Sequence, residues 1–309
     1  MKKVFIDGSA GTTGLKILDR LSGRDDIELI TLPEEQRKDI SARKKALNSA
    51  DVAFLCLPDE VAKESVSLIE NENTVVIDTS TAHRTDEGWA YGFPELSNEF
   101  YEKIKTSKRI AVPGCHAGGL IALVFPLIKN GVISDETLLT SHSITGYSGG
   151  GKKMIAEYEA DECGSLLAPR QYGITQMHKH LKEMKKISGL KNEPVFCPIV
   201  SSFYSGMEMT VMLHKSQLND GFTAEDIKKI YKEAYNGPIV KYCDSIDQNG
   251  FVSAGVLSGY DSMEITVAGN DERILLIARY DNLGKGASGA AVEVLNLVLG
   301  ADKTTGLVL

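Results

Sequence analysis

The strongest constraint on this chain lies at its start. An apolar run, Lys3-Val4-Phe5-Ile6-Asp7, is followed by Gly8, Gly11 and Gly14, then by the helical pattern Leu15–Leu21 and a second apolar run, Ile27–Leu32. Strand, glycine turn, helix and strand in that order make a βαβ unit. Glycines at this spacing permit a positive φ in a tight turn, let backbone approach a pyrophosphate and leave room for a helix against a strand. Helix N-terminal N–H groups then meet the phosphates. A glycine triplet alone also suits a purely structural turn, but its place between the first strand and first helix points to a dinucleotide.

The alternation continues with helices expected near Ser41–Asn48 and Asp59–Ile69 and strands at Val52–Leu57 and Thr74–Asp78. Such a pattern predicts a parallel, doubly wound sheet. After Val112-Pro113-Gly114 a helix is expected from Ala117 to Lys129. Strands are expected near Leu138–Ile144, Glu193–Ser202, Met207–Leu213, Met263–Val267 and Ile274–Tyr280. Their stronger alternation and longer connections suggest a mixed or antiparallel sheet with helices on one face. Gly286–Leu299 is apolar at helical spacing and is expected to return to the first domain. The predicted class is therefore α/β: a doubly wound Rossmann domain (1–113 plus 286–309) carrying an inserted α+β substrate and dimerisation domain (114–285).

At 309 residues the chain is long enough for two cores. A net charge of −8 and a pI near 5.4 argue against nucleic acid or an acidic membrane surface as partner. No run is long enough to span a membrane, and MKKVFIDGSAGTTG contains no signal-peptide core, so cytoplasm is the expected location. The cysteines Cys56, Cys115, Cys163, Cys197 and Cys243 are odd in number, widely spaced and without a CxxC pair, which fits neither a disulfide framework nor a zinc site.

Cys115 stands apart from the other four. In Ala111-Val112-Pro113-Gly114-Cys115-His116-Ala117-Gly118-Gly119 it falls where a strand gives way to a helix, and a helix N-terminus favours a thiolate. The flanking glycines leave space for substrate and for backbone donors to an oxyanion. His178-Lys179-His180-Leu181-Lys182-Glu183 supplies two imidazoles and a carboxylate. The two histidines diverge in a helix and share a side in an extended entry segment, while His180 and Glu183 meet on one helical face. No third ligand at suitable spacing or HExxH pattern supports a metal. Arg37 and Lys38, with Ser9, suit a 2′-phosphate after the second strand, although Glu34 and Glu35 are close by. That favours NADP(H) over NAD. Ser148-Gly149-Gly150-Gly151-Lys152-Lys153 lacks P-loop spacing and suits an anionic group on a substrate.

Taken with Asp78-Thr79-Ser80-Thr81-Ala82-His83-Arg84, Gly92-Phe93-Pro94-Glu95-Leu96 and Asn282-Leu283-Gly284-Lys285-Gly286-Ala287-Ser288-Gly289, these segments resemble the N-acetyl-gamma-glutamyl-phosphate reductases, nearer the short form, within the aspartate-semialdehyde dehydrogenase-like group. The resemblance covers nearly the whole chain. It implies NADPH-dependent reduction of an acyl phosphate to N-acetylglutamate semialdehyde, with phosphate released, in arginine biosynthesis. It implies Cys115 as nucleophile and His180, His178 and Glu183 as the base and its support, with His180 first and His178 second as proton carrier. Gly8, Ser9, Gly11, Thr12, Thr13, Gly14, Arg37, Ser80, Lys285, Gly286 and Ala287 are the implied cofactor residues. Arg84, Ser148, Gly149 and Gly150 are the substrate candidates. Gly289 is followed by Ala290-Ala291, where the family pattern has Gln-Ala. A homodimer or homotetramer is expected. Aspartate-semialdehyde dehydrogenase is the alternative enzyme, and a non-catalytic dinucleotide-binding sensor the alternative of another class.

Overall fold

The computed structural model describes all residues, 1–309, and the chain divides into two compact units: Met1–Gly114 with Ala287–Leu307, and Cys115–Gly286 with Val308–Leu309.

In the first unit, strands β1 (Lys2–Asp7), β2 (Ile27–Ile30), β3 (Val52–Leu55), β4 (Val75–Asp78), β5 (Ala90–Tyr91) and β6 (Arg109–Ala111) form one parallel sheet in the order β2-β1-β3-β4-β6-β5. Its helices are α1 (Thr12–Leu21), α2 (Ile40–Ser49), α3 (Asp59–Ser67) and α4 (Asn98–Thr106). Alternate strand residues serve opposite faces. Val4, Ile6, Val52, Phe54 and Ile77 enter a core with Ile17 and Leu21 of α1 and Ile104 of α4, whereas Phe5, Ala53, Leu55 and Val76 pack with Ala46 and Leu47 of α2 and Ala62 of α3. Burial on both faces is why these strands read as continuous apolar runs. The glycine loop follows β1 at its carboxyl end, where the strand order reverses between β1 and its neighbours, the usual ligand position in such sheets.

The second unit opens with α5 (Cys115–Lys129) and contains β7 (Thr140–Gly146), α6 (Gly151–Glu159), β8 (Arg170–Gln171), α7 (His180–Ser188), β9 (Val195–Ser201), β10 (Met207–His214), α8 (Ala224–Ala234), β11 (Val240–Tyr242), β12 (Met263–Gly269) and β13 (Arg273–Tyr280). The strands form a mixed sheet in the order β11-β12-β13-β10-β7-β9-β8. Helix α5 is almost wholly buried, and α8 is fastened to it where Tyr231 donates to the Leu123 carbonyl and Tyr235 to the Ala122 carbonyl. The chain then leaves β13 through a π-turn, Gly284–Ser288, into α9 (Gly289–Leu299), whose Ala290, Ala291, Val292, Val294 and Leu295 complete the α1–α4 face of the first unit's core. No helix is long and apolar enough to cross a membrane.

Candidate active site

Cys115 is the first residue of α5 and is partly accessible. A negative charge there is stabilised by the N–H groups of the helix start. Tyr280 reaches back from β13 and donates its phenolic hydrogen to the Cys115 carbonyl at 2.7 Å. A Cβ on Gly119 would lie 2.3 Å from that hydroxyl. Gly119 therefore makes room for a structural phenol, rather than for substrate as its position in the sequence suggests. A Cβ on Gly286 would lie 3.0 Å from the Cys115 Cβ, so the second unit's last residues before α9 need glycine beside the thiol.

His116, the residue after Cys115, belongs to a cluster of three imidazoles. Ring centroids are 5.7 Å apart for His116 and His178, 5.8 Å for His116 and His180, and 4.7 Å for His178 and His180. Helix α7 begins at His180, which leaves His178 in the turn before it with Nδ1 accepting the His180 backbone N–H at 3.2 Å. The two histidines thus meet because the segment is a helix entry and not a helix. Phe196 packs edge-on against both His116 and His178. Glu183 is buried in the first turn of α7.

His116 differs from the other two. Its Nδ1 lies 2.9 Å from Ser143 Oγ and its Nε2 2.6 Å from the Tyr172 hydroxyl, and burial, followed by the neighbouring His178, pushes its pKa down to about 3. It is a neutral ring with both nitrogens engaged. Burial also lowers the pKa of His178, with Lys179 adding to the shift. The Tyr172 phenol is driven well above its ordinary range, first by burial and then by charge on Cys115, which places it in the electrostatic reach of the thiol. No group of three or more His, Cys, Asp and Glu side chains is arranged to hold a metal ion.

Two loops singled out separately in the sequence are joined here. Asn282 donates from Nδ2 to Ser148 Oγ at 3.0 Å and accepts the Gly206 N–H at 2.9 Å. Asp281 accepts from Ser205, from the Leu283 N–H and from the Gly259 N–H, and its carbonyl accepts the Gly286 N–H at 2.9 Å. This network sets the backbone of Leu283–Gly286, and Lys285 within it is buried.

In the first unit Gly8 has φ +89°, and a Cβ there would lie 2.3 Å from the Cys56 carbonyl oxygen; one on Gly14 would lie 2.4 Å from the Gly8 carbonyl oxygen. Gly11 precedes α1 without any capping side chain, so Thr12 and Thr13 open a bare helix start. Arg37 and Lys38 are exposed after β2, where no acid terminates the strand. These features fit a dinucleotide with a 2′-phosphate.

Residues 3–104 match the family model described as semialdehyde dehydrogenase, NAD binding domain, and residues 115–282 match semialdehyde dehydrogenase, dimerisation domain. N-acetyl-gamma-glutamyl-phosphate reductase 2 of Nostoc sp. is 42% identical over 99% of both chains. The N-acetyl-gamma-glutamyl-phosphate reductase of Chelativorans sp. is 45% identical over 96% of this chain and 98% of its own. The chain belongs to the N-acetyl-gamma-glutamyl-phosphate reductase family. Among solved structures, aspartate semialdehyde dehydrogenase II of Vibrio cholerae, complexed with ASA, superposes with a TM-score of 0.72 at 16% identity, covering 97% of this chain and 98% of that one. The Candida albicans enzyme solved with NADP gives 0.70 at 16% identity over 99% of each chain. At that identity the likeness is one of fold.

Two residues named from the family resemblance take on different surroundings in this reductase-family chain. Arg84 is buried, with Nε donating to the Val112 carbonyl at 2.8 Å and Nη2 to the Thr79 carbonyl at 2.9 Å. It braces two strand ends, and those donors are not presented to an anion. Ser80 is buried against Asp78, donating from Oγ to Oδ2 at 2.7 Å, while His83 Nδ1 sits 2.6 Å from the same oxygen and its ring stacks on Trp89.

Proposed function

We propose that this chain reduces N-acetyl-γ-glutamyl phosphate with NADPH to N-acetylglutamate 5-semialdehyde and phosphate through a thioester on Cys115. The observation that carries this reading is a partly accessible cysteine at a helix N-terminus, followed directly by His116 of a three-imidazole cluster in which burial lowers the pKa of His116 and His178.

The Cys115 thiolate attacks the acyl carbon, the N–H groups of the first turn of α5 hold the developing oxyanion, and the C–O bond to phosphate breaks to leave a thioester. Gly8, Ser9, Gly11, Thr12, Thr13 and Gly14 hold the pyrophosphate, Arg37 takes the 2′-phosphate, and Ser80 with Lys285, Gly286 and Ala287 completes the cofactor contacts. When bound, the reduced nicotinamide supplies the hydride that turns the thioester into a thiohemiacetal. His180, with His178 as its alternative, protonates the oxyanion. It takes that proton back as the C–S bond breaks, so the aldehyde leaves and the thiolate is restored. His116 is unsuited to this step because both its nitrogens are committed. Glu183 supports the imidazoles, and Ser148, Gly149 and Gly150 face the substrate's anionic groups. The enzyme works in the cytoplasm as a homodimer or homotetramer.

Intact-protein mass spectrometry tests the covalent step. Incubation with N-acetylglutamate semialdehyde and NADP+ in the absence of phosphate is expected to add one N-acetylglutamyl group at Cys115, and C115S is expected to show neither adduct nor turnover. Full activity in C115S, or turnover of aspartate semialdehyde alone, refutes the reading.

A further inference from the structure

The turn that leads into α7 is held by a residue to which the mechanism gives no part. Gln176 has φ +55°, and only it and Asn249 lie in the left-handed region without being glycine. A side chain keeps that conformation where its surroundings impose it. The Gln176 N–H donates to the Gly173 carbonyl at 2.9 Å, which closes the turn. Its side-chain amide pairs with the backbone of Phe196 in both senses: Nε2 donates to the Phe196 carbonyl at 2.8 Å, and Oε1 accepts the Phe196 N–H at 2.9 Å. The β8–β9 ladder ends at Arg170–Gln171, and the Tyr172 N–H adds one bond to the Pro198 carbonyl at 3.0 Å. Beyond that point the Gln176 amide, one donor and one acceptor, stands where a strand residue would.

Phe196 carries this attachment into the histidine cluster. Its ring centroid lies 5.2 Å from that of His116 and 5.4 Å from that of His178. His178, two residues after Gln176, accepts the His180 N–H at Nδ1 and the Leu181 N–H at its carbonyl, at 3.2 and 3.0 Å, and so opens α7. Gly173 has φ +62°, and a Cβ there would stand 3.2 Å from Pro198 Cγ, so the turn has no slack on the β9 side. A turn required only for its shape is served better by glycine at the φ of Gln176. Reach to Phe196 is what glycine lacks.

We propose that Gln176 is a positioning residue for proton transfer: its amide fastens the entry of α7 to β9 and thereby holds His178 and His180 in the cluster they share with His116. This assignment rests on the reductase reading above. The His178 ring faces His116 of α5, His180 of α7, Tyr172 after β8 and Phe196 of β9, and burial, followed by Lys179, lowers its pKa. Once the entry segment is released from Phe196, water reaches that ring and its pKa returns toward the ordinary 6.5.

The experiment compares Q176A, Q176G and Q176N with the unaltered protein in three measurements: oxidation of N-acetylglutamate semialdehyde with NADP+ and phosphate, the His178 titration by NMR, and the rate at which iodoacetamide alkylates the Cys115 peptide. All three variants are expected to lose roughly ten- to a hundredfold in kcat, with KM within about threefold. The His178 pKa should rise in each. Alkylation of Cys115 should stay within about twofold, because the thiolate depends on the start of α5 and not on α7. Q176G separates contact from backbone strain, since glycine accepts the left-handed φ and a purely conformational role predicts full kcat in it. Q176N tests reach, since asparagine tolerates that φ but its amide is one methylene short. Q176E keeps the acceptor for the Phe196 N–H, loses the donor, and should fall between Q176G and the unaltered protein. If Q176A does not fold, Q176G, free of the strain, carries the same reading. An unchanged kcat or an unmoved His178 pKa in Q176G overturns the assignment while leaving the reductase reading intact, as does a loss of Cys115 alkylation equal to the loss of kcat. No turnover of N-acetylglutamate semialdehyde by the unaltered protein, with turnover of another semialdehyde, overturns the reductase reading, and the same three measurements on that aldehyde then decide on Gln176.

Discussion

Replacing Arg43 by Met tests whether a buried ion pair supports the glycine loop. Asp7 closes β1 immediately before Gly8, and its side chain is 3% exposed against 6% for Arg43. Arg43 Nε lies 3.2 Å from both carboxylate oxygens, Nη2 lies 3.1 Å from Oδ2, and Ser65 Oγ donates to Oδ2 at 2.9 Å. Burial opposes the charge on Arg43, but Asp7 and then Glu64 raise its pKa beyond that effect. Deleting one partner of a buried pair costs about 3–5 kcal/mol, because the other charge is stranded. The Ser65 bond survives and softens the loss, while the bond to Glu64, whose side chain is 44% exposed, adds under about 1 kcal/mol. R43M should therefore destabilise the first unit by about 3 kcal/mol. The double variant D7N/R43M should recover about half of that, since a neutral amide replaces the stranded carboxylate. The chain has one tryptophan, Trp89, in this unit, so urea unfolding followed by its fluorescence reports the unit concerned. A cost below about 1 kcal/mol in R43M, or no recovery in the double variant, would refute the claim that the pair supports the loop.

Two further predictions concern the second unit. Because the folded-state pKa of His116 is depressed to about 3, the unfolded chain binds a proton that the folded chain refuses whenever pH lies between 3 and the ordinary 6.5. Stability should thus fall as pH drops through that window, by about 1.7 kcal/mol from this residue between pH 6.5 and 5, and H116Q should flatten the slope. Urea midpoints at several pH values check this, and equal slopes in the two proteins would count against a neutral buried imidazole. In G286A the added Cβ meets the Cys115 Cβ at 3.0 Å and the Asp281 carbonyl oxygen at the same distance. The expected result is a stability loss of about 1–3 kcal/mol and a fall in kcat of about a hundredfold, because both groups must shift. Steady-state kinetics alongside a thermal melt would expose the error if kcat were unchanged.

The doubly wound half was legible because parallel strands buried on two faces appear as unbroken apolar runs. Expected strands at Val52–Leu57 and Thr74–Asp78 become Val52–Leu55 and Val75–Asp78. Gly8 and Gly14 were legible for the same local reason: their turn has no space for a side chain. The helix Ala224–Ala234 is outside the elements expected above, although Thr223 and Asp226 form a reciprocal cap that is a recognised start signal. Strand Arg170–Gln171 is too short for a period to show. Contacts between distant positions have no local pattern at all: Arg43 meets Asp7 across 36 residues, Tyr172 meets His116 across 56 and Tyr280 meets Cys115 across 165. The paired histidines are an intermediate case. Their spacing allowed two geometries, and the start of α7 at His180 decides between them.

That decision bears on how the imidazoles divide the chemistry. An ion pair between a Cys115 thiolate and a protonated His116 would tie nucleophilicity to the titration of the ring. His116 is neutral across the working range and is held by Ser143 and Tyr172. On the proposed mechanism the charge on the thiolate is left to the N–H groups at the start of α5, which do not titrate, and proton transfer is assigned to His178 and His180, whose rings lie in the same cluster at the entry of α7. On the proposed mechanism the sulfur is covalently bound while an imidazole gives and retrieves the proton of the thiohemiacetal, and the thiolate returns only when the C–S bond breaks. On that reading His116 anchors the cluster through Ser143 and Tyr172, which leaves His178 and His180 as the rings that can carry the proton.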